Sequence, residues 1–145
     1  MLINLEPLAA LAANNIVDSS IAQNAKANDA ENIVTKSLGV LTEQGIYAFG
    51  LFLATRKRGQ DHSVATSIDN ALRKLLKDTK FLTDNLTNIP KSEIAEFYRE
   101  ITAENKSKNE SSVDALRRIL LIKQIFETTL TYARYAAKAA KQKLD

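Results

Sequence analysis

The sequence contains no cysteine, no tryptophan, one histidine, two prolines and four glycines. Without cysteine there is no disulfide framework and no thiolate zinc or redox site, and the chain is expected to work in a reducing, cytoplasmic setting. One histidine, His62, excludes metal centres built on two or three. It stands beside a predicted helix start and reads as a surface or capping residue rather than a base. No phosphate-binding G-x-x-x-x-G-K-[ST], dinucleotide G-x-G-x-x-G or nucleophile-elbow G-x-S-x-G pattern occurs.

Long hydrophobic runs are also missing. The longest, Gly45 to Ala54 in "LTEQGIYAFGLFLATRKRG", has ten residues. A spanning helix needs about 20, so no membrane partner is expected. The N-terminus has no Lys or Arg before Lys26 and carries Glu6 and Pro7, unlike the basic start of a signal peptide, and is read as mature chain.

What remains is a helical, unevenly charged chain. With few glycines and prolines, no alternating apolar pattern and frequent 3.6-residue spacing, its 145 residues predict an all-α fold. That length suits one domain over residues 1–145, a single compact helical bundle of about five to six helices with a long C-terminal helix.

A first helix is expected from about Pro7 to Ala22, with Leu8, Leu11, Ala12 and Ile16 on one face. A second, capped by Asn28 or Asp29, carries Ile33, Val34, Leu38 and Leu41 to a stop at Gly45. The third, about Ile46 to Arg58, is apolar nearly all round and belongs at the centre. Gly50 within it costs about 1 kcal/mol relative to Ala and predicts a close helix approach. Arg56, Lys57 and Arg58 suit the negative end of that helix, with Gly59 as terminator.

The fourth helix is expected to start at Ser63 and bury Val64, Ile68, Leu72, Leu75 and Leu76, with Arg73, Lys74 and Lys77 outward. A connection broken at Pro90 leads to a fifth, about Lys91 to Glu104, burying Ile94, Phe97, Tyr98 and Ile101. The polar "ENKSKNESS" reads as a mobile loop. Ser111 and Asp114 then open a last helix from Ser112 to Lys143, about 48 Å long at 1.5 Å per residue. Its "ILLI" portion, Ile119 to Ile122, predicts enclosure on every side, and its Ala-rich basic end predicts either projection or tight packing on a neighbour.

For catalysis the sequence offers little. Glu93, Glu96, Glu100 and Glu104 share one side of the fifth helix but lack the E-x-x-H elements of a dinuclear bundle site, so they read as a solvated face. No enzyme, metal or cofactor is expected. Charge is more informative: residues 1–55 hold two cations and five anions, whereas 56–145 hold eighteen and twelve. On the last helix Lys123, Arg134, Lys138 and Lys141 recur at +11, +15 and +18, on one stripe at 100° per residue. Glu127 is the one anion in the stripe, and Tyr132 and Tyr135 lie near it as flat groups for stacking or half-buried packing. A positive track of this kind can follow phosphates without reading bases.

The segment "LGVLTEQGIYAFGLFLATRK", Leu38 to Lys57, and the ending "ALRRILLIKQIFETTLTYARYAAKAAK", Ala115 to Lys141, resemble the small all-helical subunit of type III CRISPR effector complexes, most nearly the Cmr type, with the Csm type a neighbouring possibility. The likeness covers most of residues 28–141. It departs in residues 1–25 and in the last helix, where Tyr132 and Tyr135 stand without the Trp often found there.

The resemblance implies a non-catalytic subunit of an antiviral ribonucleoprotein. Its partners would be other effector subunits, guide RNA and target nucleic acid, and stacked copies of itself. Backbone contacts would then fall to Lys57, Arg58, Arg73, Lys74, Lys77, Lys123, Arg134, Lys138 and Lys141. The alternative reading is a helical protein-interaction or scaffold module whose cations are only solvated.

Overall fold

Gly45 sits between two helices with φ at 99°, a backbone region that side chains rarely tolerate, and its N–H closes one helix on Leu41 O while its carbonyl opens the next at Phe49 N. The computed structural model describes residues 5–23, 25–81, 86, 88–103 and 110–143. Among them are six helices and no strand: α1 (Glu6–Ala22), α2 (Ala27–Gln44), α3 (Ile46–Ala54), α4 (Gly59–Asp78), α5 (Ile94–Ile101) and α6 (Ser112–Lys143). The all-α bundle with a long C-terminal helix is therefore the observed fold. No described helix is long and apolar enough to cross a membrane.

The long α6 packs against both α1 and α2, α4 packs against α1 and α2, and α3 is held between α2 and α5. Side-chain contacts set the directions. Lys123 Nζ reaches Thr42 O at the end of α2 and Lys141 Nζ reaches Asn28 Oδ1 at its start, so α2 and α6 run antiparallel. Ser67 bonds Ser19 across to the end of α1, and Ser63 lies by Gln23, so α4 runs antiparallel to α1.

One continuous core unites all six helices. Its centre is aromatic: Phe49 of α3 meets Tyr98 of α5 edge-on at 5.4 Å and Phe126 of α6 at 6.1 Å. Such rings contribute both large buried area and favourable edge geometry, worth about 1 kcal/mol per pair beyond the area. Gly50 explains how α3 and α5 come so close, because a Cβ there would lie 2.5 Å from Tyr98 Cβ.

Several local expectations change. In α1 the buried face is Ala9, Ala12, Ala13, Ile16, Val17 and Ser20, while Leu11 is 53% exposed, so small residues bring α1 against its neighbours. Helix α2 begins at Ala27, where the Asp29 carboxylate accepts the Lys26 N–H at 3.2 Å. Helix α3 ends at Ala54, four residues before the expected Arg58, and Gly59 begins α4 rather than ending α3. The turn between them is built by side chains: Thr55 Oγ1 donates to Phe52 O, the Arg56 guanidinium lies 4.2 Å over the Phe52 ring, and His62 Nδ1 meets Arg56 O at 3.1 Å. His62 is exposed and serves this turn.

Helix α5 is shorter than expected at both ends, and Glu96 and Glu100 both hold Arg99 on its exposed side. Glu104 and most of the polar loop lie outside the described residues. Helix α6 has the expected bounds, opened by Asp114 N–H donating to Ser111 Oγ at 3.1 Å. The Ala-rich end takes the packed alternative, while the "ILLI" portion departs from the enclosure expected of it. The Ala-rich end is the enclosed part, with Ala133 and Ala137 fully buried, whereas Leu120 and Leu121 of "ILLI" are exposed. Small side chains let α6 approach α1 and α2 closely there, which the bulkier "ILLI" turn does not require.

Candidate nucleic-acid interface

Helix directions sort the candidate cations into two groups. Lys57 and Arg58 immediately precede α4, beside the end of α1, and Lys138 and Lys141 lie near the end of α6, beside the start of α2. They gather at one end of the bundle. Lys74 and Lys77 lie near the other end of α4, where Lys74 borders Leu8 and Leu11 of α1. From Arg58 to Lys77 is about 28 Å at 1.5 Å per helical residue, so these cations do not form one short cluster.

At the first end, Lys57 and Arg58 are exposed and make no ion pair among the described residues. Lys138 is half-buried and sits 5.9 Å from the exposed Tyr135 ring, a cation over a flat apolar surface. Arg134, one turn earlier, is half-buried, and its Nε is enclosed without a hydrogen-bond partner. Lys141 is partly occupied: its ammonium meets Asn28 Oδ1 at 3.1 Å and Glu31 at 3.9 Å. Lys123 lies further along the α2–α6 seam, 3.9 Å from Glu127 and 3.4 Å from Thr42 O. The stripe inferred from spacing exists on α6, and its two ends are partly neutralised, Lys123 by Glu127 within the stripe and Lys141 by Glu31 of α2. Tyr132 does not join it as a stacking platform, because its hydroxyl donates to Glu6 at 3.0 Å, which with burial raises the phenol above its ordinary range.

Arg73 is the correction among the expected backbone contacts. Its side chain turns inward: Nε lies 3.1 Å from the Asp69 carboxylate, Nη1 donates to Ile89 O at 2.7 Å, and the guanidinium stacks 4.2 Å over the Phe97 ring. The physical reason is Asp69, a carboxylate only 1% exposed that the sequence reading passed over. A buried charge demands a partner, and Arg73, one turn along α4, supplies it while tying down the backbone before α5. Burial raises the Asp69 pKa and outweighs the opposing pull of Arg73. Tyr98 Oη, fully buried beside this carboxylate, makes no hydrogen bond of good geometry. Burial, and secondarily the Asp69 charge, pushes its phenol well above 10.

With Arg73 withdrawn, Lys74 and Lys77 remain exposed at the second end. They border a cavity of about 480 Å³ between α4 and the segment that leads to α5, and Lys91 stands on its far side. Lys91 was not singled out in the sequence, since an isolated Lys after a Pro carries no periodic signal.

A different kind of surface occupies the first half of α6. Val113, Leu116, Leu120 and Leu121 are 60%, 56%, 55% and 46% exposed, and their spacing places them on one side of the helix with Arg117. Nearby, Arg118 anchors this half through Glu110 at 3.0 Å and the carbonyls of Ile101 and Ala103, both at 2.7 Å. The apolar strip is thus held on a fixed helix.

No group of three or more acidic, His or Cys side chains suited to a metal ion occurs among the described residues. No known protein family matches the chain, and no curated protein or solved structure does so.

Proposed function

We propose that this chain is a non-catalytic small subunit of an RNA-guided CRISPR effector complex, contacting the phosphate backbone of guide or target nucleic acid and associating with copies of itself. The observation that carries the reading is the cationic end of the bundle, where Lys57, Arg58 and Lys138 lie at the same end on two chain segments without a carboxylate partner among the described residues. Cations left unpaired on a rigid surface suit phosphate contacts that position a strand without reading its sequence. The exposed apolar strip on α6 supports self-association, since a large apolar strip on one helix face is a recurrent interaction surface.

The same strip favours a second reading, a helical scaffold module that binds protein and leaves its cations solvated. Fluorescence anisotropy with single-stranded and duplex RNA at rising salt separates the two. Backbone contact predicts a linear loss of log affinity with log salt, about 0.7 per phosphate neutralised on a single strand, and uniform weakening by R58E/K138E on every sequence. Absence of binding at low salt overturns the backbone reading and leaves the scaffold.

A further inference from the structure

Among the described residues Tyr135 is the most exposed large hydrophobic side chain, 64% open to solvent. Its direction follows from the two neighbours of α6. Tyr132, three residues earlier, turns to Glu6 of α1, and Lys141, six residues later, turns to Asn28 and Glu31 of α2. At 100° per residue Tyr135 falls between them, on the side of α6 that neither helix covers. Packing gives the ring no task, since Ala133 and Ala137 form the buried face of this part of α6. A lone exposed tyrosine would need no explanation, but this one stands among cations. The Lys138 ammonium lies 5.9 Å from its centroid, and Lys57, Arg58 and Lys141 share this end of the bundle. Lys141 follows about 9 Å along the axis at 1.5 Å per residue. Ala139, one turn on, is exposed and carries no bulk to shield the ring.

We propose that Tyr135 is a stacking platform and that the ligand of this basic end is single-stranded nucleic acid, one unpaired base lying on the ring while Lys138 and the neighbouring cations meet phosphates. The proposal rests on the backbone reading above and narrows its ligand. In a duplex the internal bases are stacked on each other and offer only their edges in the grooves. An aromatic side chain reaches a base face only where the strand is unpaired. Cations alone would favour the duplex, whose charge is denser along its axis, so preference for the single strand has to come from the ring. Stacking is tolerant of sequence because every base has a flat face, and it therefore adds affinity without base reading, as the cations do. The Lys138 ammonium beside the ring keeps positive charge within reach of the strand that stacks there.

Fluorescence anisotropy on the full chain, with a single-stranded RNA and a duplex RNA of equal length, tests this. Y135A is expected to weaken the single strand about tenfold or more and to leave the duplex within about twofold, whereas Y135F should keep the native affinity for both. K57E/R58E should weaken both ligands alike. Y135W supplies the only tryptophan of the chain, and its emission should be quenched saturably by the single strand and not by the duplex. Circular dichroism verifies that each variant is folded. Single-strand affinity untouched by Y135A while K57E/R58E lowers it overturns the platform and keeps the backbone reading. Equal loss of strand and duplex in Y135A also overturns the platform, as does loss of self-association in sedimentation with strand binding intact, which would assign the ring to a protein contact. No binding of either RNA by the native chain at low salt fails the backbone reading itself, and the platform with it.

Discussion

Gly50 and Tyr98 share one space: a Cβ at position 50 would lie 2.5 Å from Tyr98 Cβ and 2.8 Å from its Cγ. Both Tyr98 atoms are close to the backbone and cannot swing aside, so relief requires α3 and α5 to separate. Gly50→Ala gains up to about 1 kcal/mol of helix propensity but is expected to lose more by overpacking, for a net destabilisation of about 1–3 kcal/mol. Urea denaturation measures it, and unchanged or raised stability would show that the two helices are not in close contact.

The Asp69–Arg73 pair should behave as a buried ion pair. Asp69→Ala leaves the Arg73 guanidinium, already stacked on Phe97, without its counter-charge, and is expected to cost about 3–5 kcal/mol. An apolar replacement of both residues should cost less than Asp69→Ala alone. Since the folded pKa of Asp69 is raised above 3.8, acidification through that raised value favours the folded state, and this carboxylate does not drive acid unfolding. A double-mutant cycle in denaturant, repeated at two acidic pH values, tests both statements.

Tyr98 predicts alkaline sensitivity. Its folded pKa lies well above 10, whereas the unfolded phenol ionises near 10. Its contribution to stability is complete below pH 10 and declines as pH rises above that value, by up to about 1.4 kcal/mol per pH unit while the folded state retains the proton. Tyr98→Phe should flatten the alkaline loss. In a spectrophotometric titration near 295 nm, Tyr98 should ionise only together with unfolding; early ionisation of all four tyrosines would contradict its burial.

The α6 strip predicts association without a fold cost. Leu116→Glu and Leu120→Glu place charge on exposed positions and should change monomer stability by no more than about 0.5 kcal/mol. Sedimentation at rising concentration should show association in the native chain and its loss in the double variant. Association unaffected by these changes would place the self-contact elsewhere.

Much of the helical order was legible because helices announce themselves locally. Gly45 separates α2 from α3, Ser111 opens α6, and Phe97, Tyr98 and Ile101 mark the buried face of α5. Faces were less legible where alanines compete with leucines. In α1 and at the end of α6 alanines share the buried face while Leu11 stays exposed, because a close helix approach excludes bulk that hydropathy alone would place inside.

The candidate site divides the same way. Counting excluded cysteine chemistry and histidine-rich metal centres, and 100° periodicity placed four cations on one stripe of α6. Those conclusions depend on residue identity and helix geometry, which the chain carries in itself. Only tertiary packing could set Arg73 on the Ile89 carbonyl and the Phe97 ring, partly neutralise Lys141 with Glu31 of α2, and bring Lys91 to the cavity shared with Lys74 and Lys77. Each of these outcomes depends on a second segment distant in sequence, and charge is neutralised or left free by whatever group folding sets beside it.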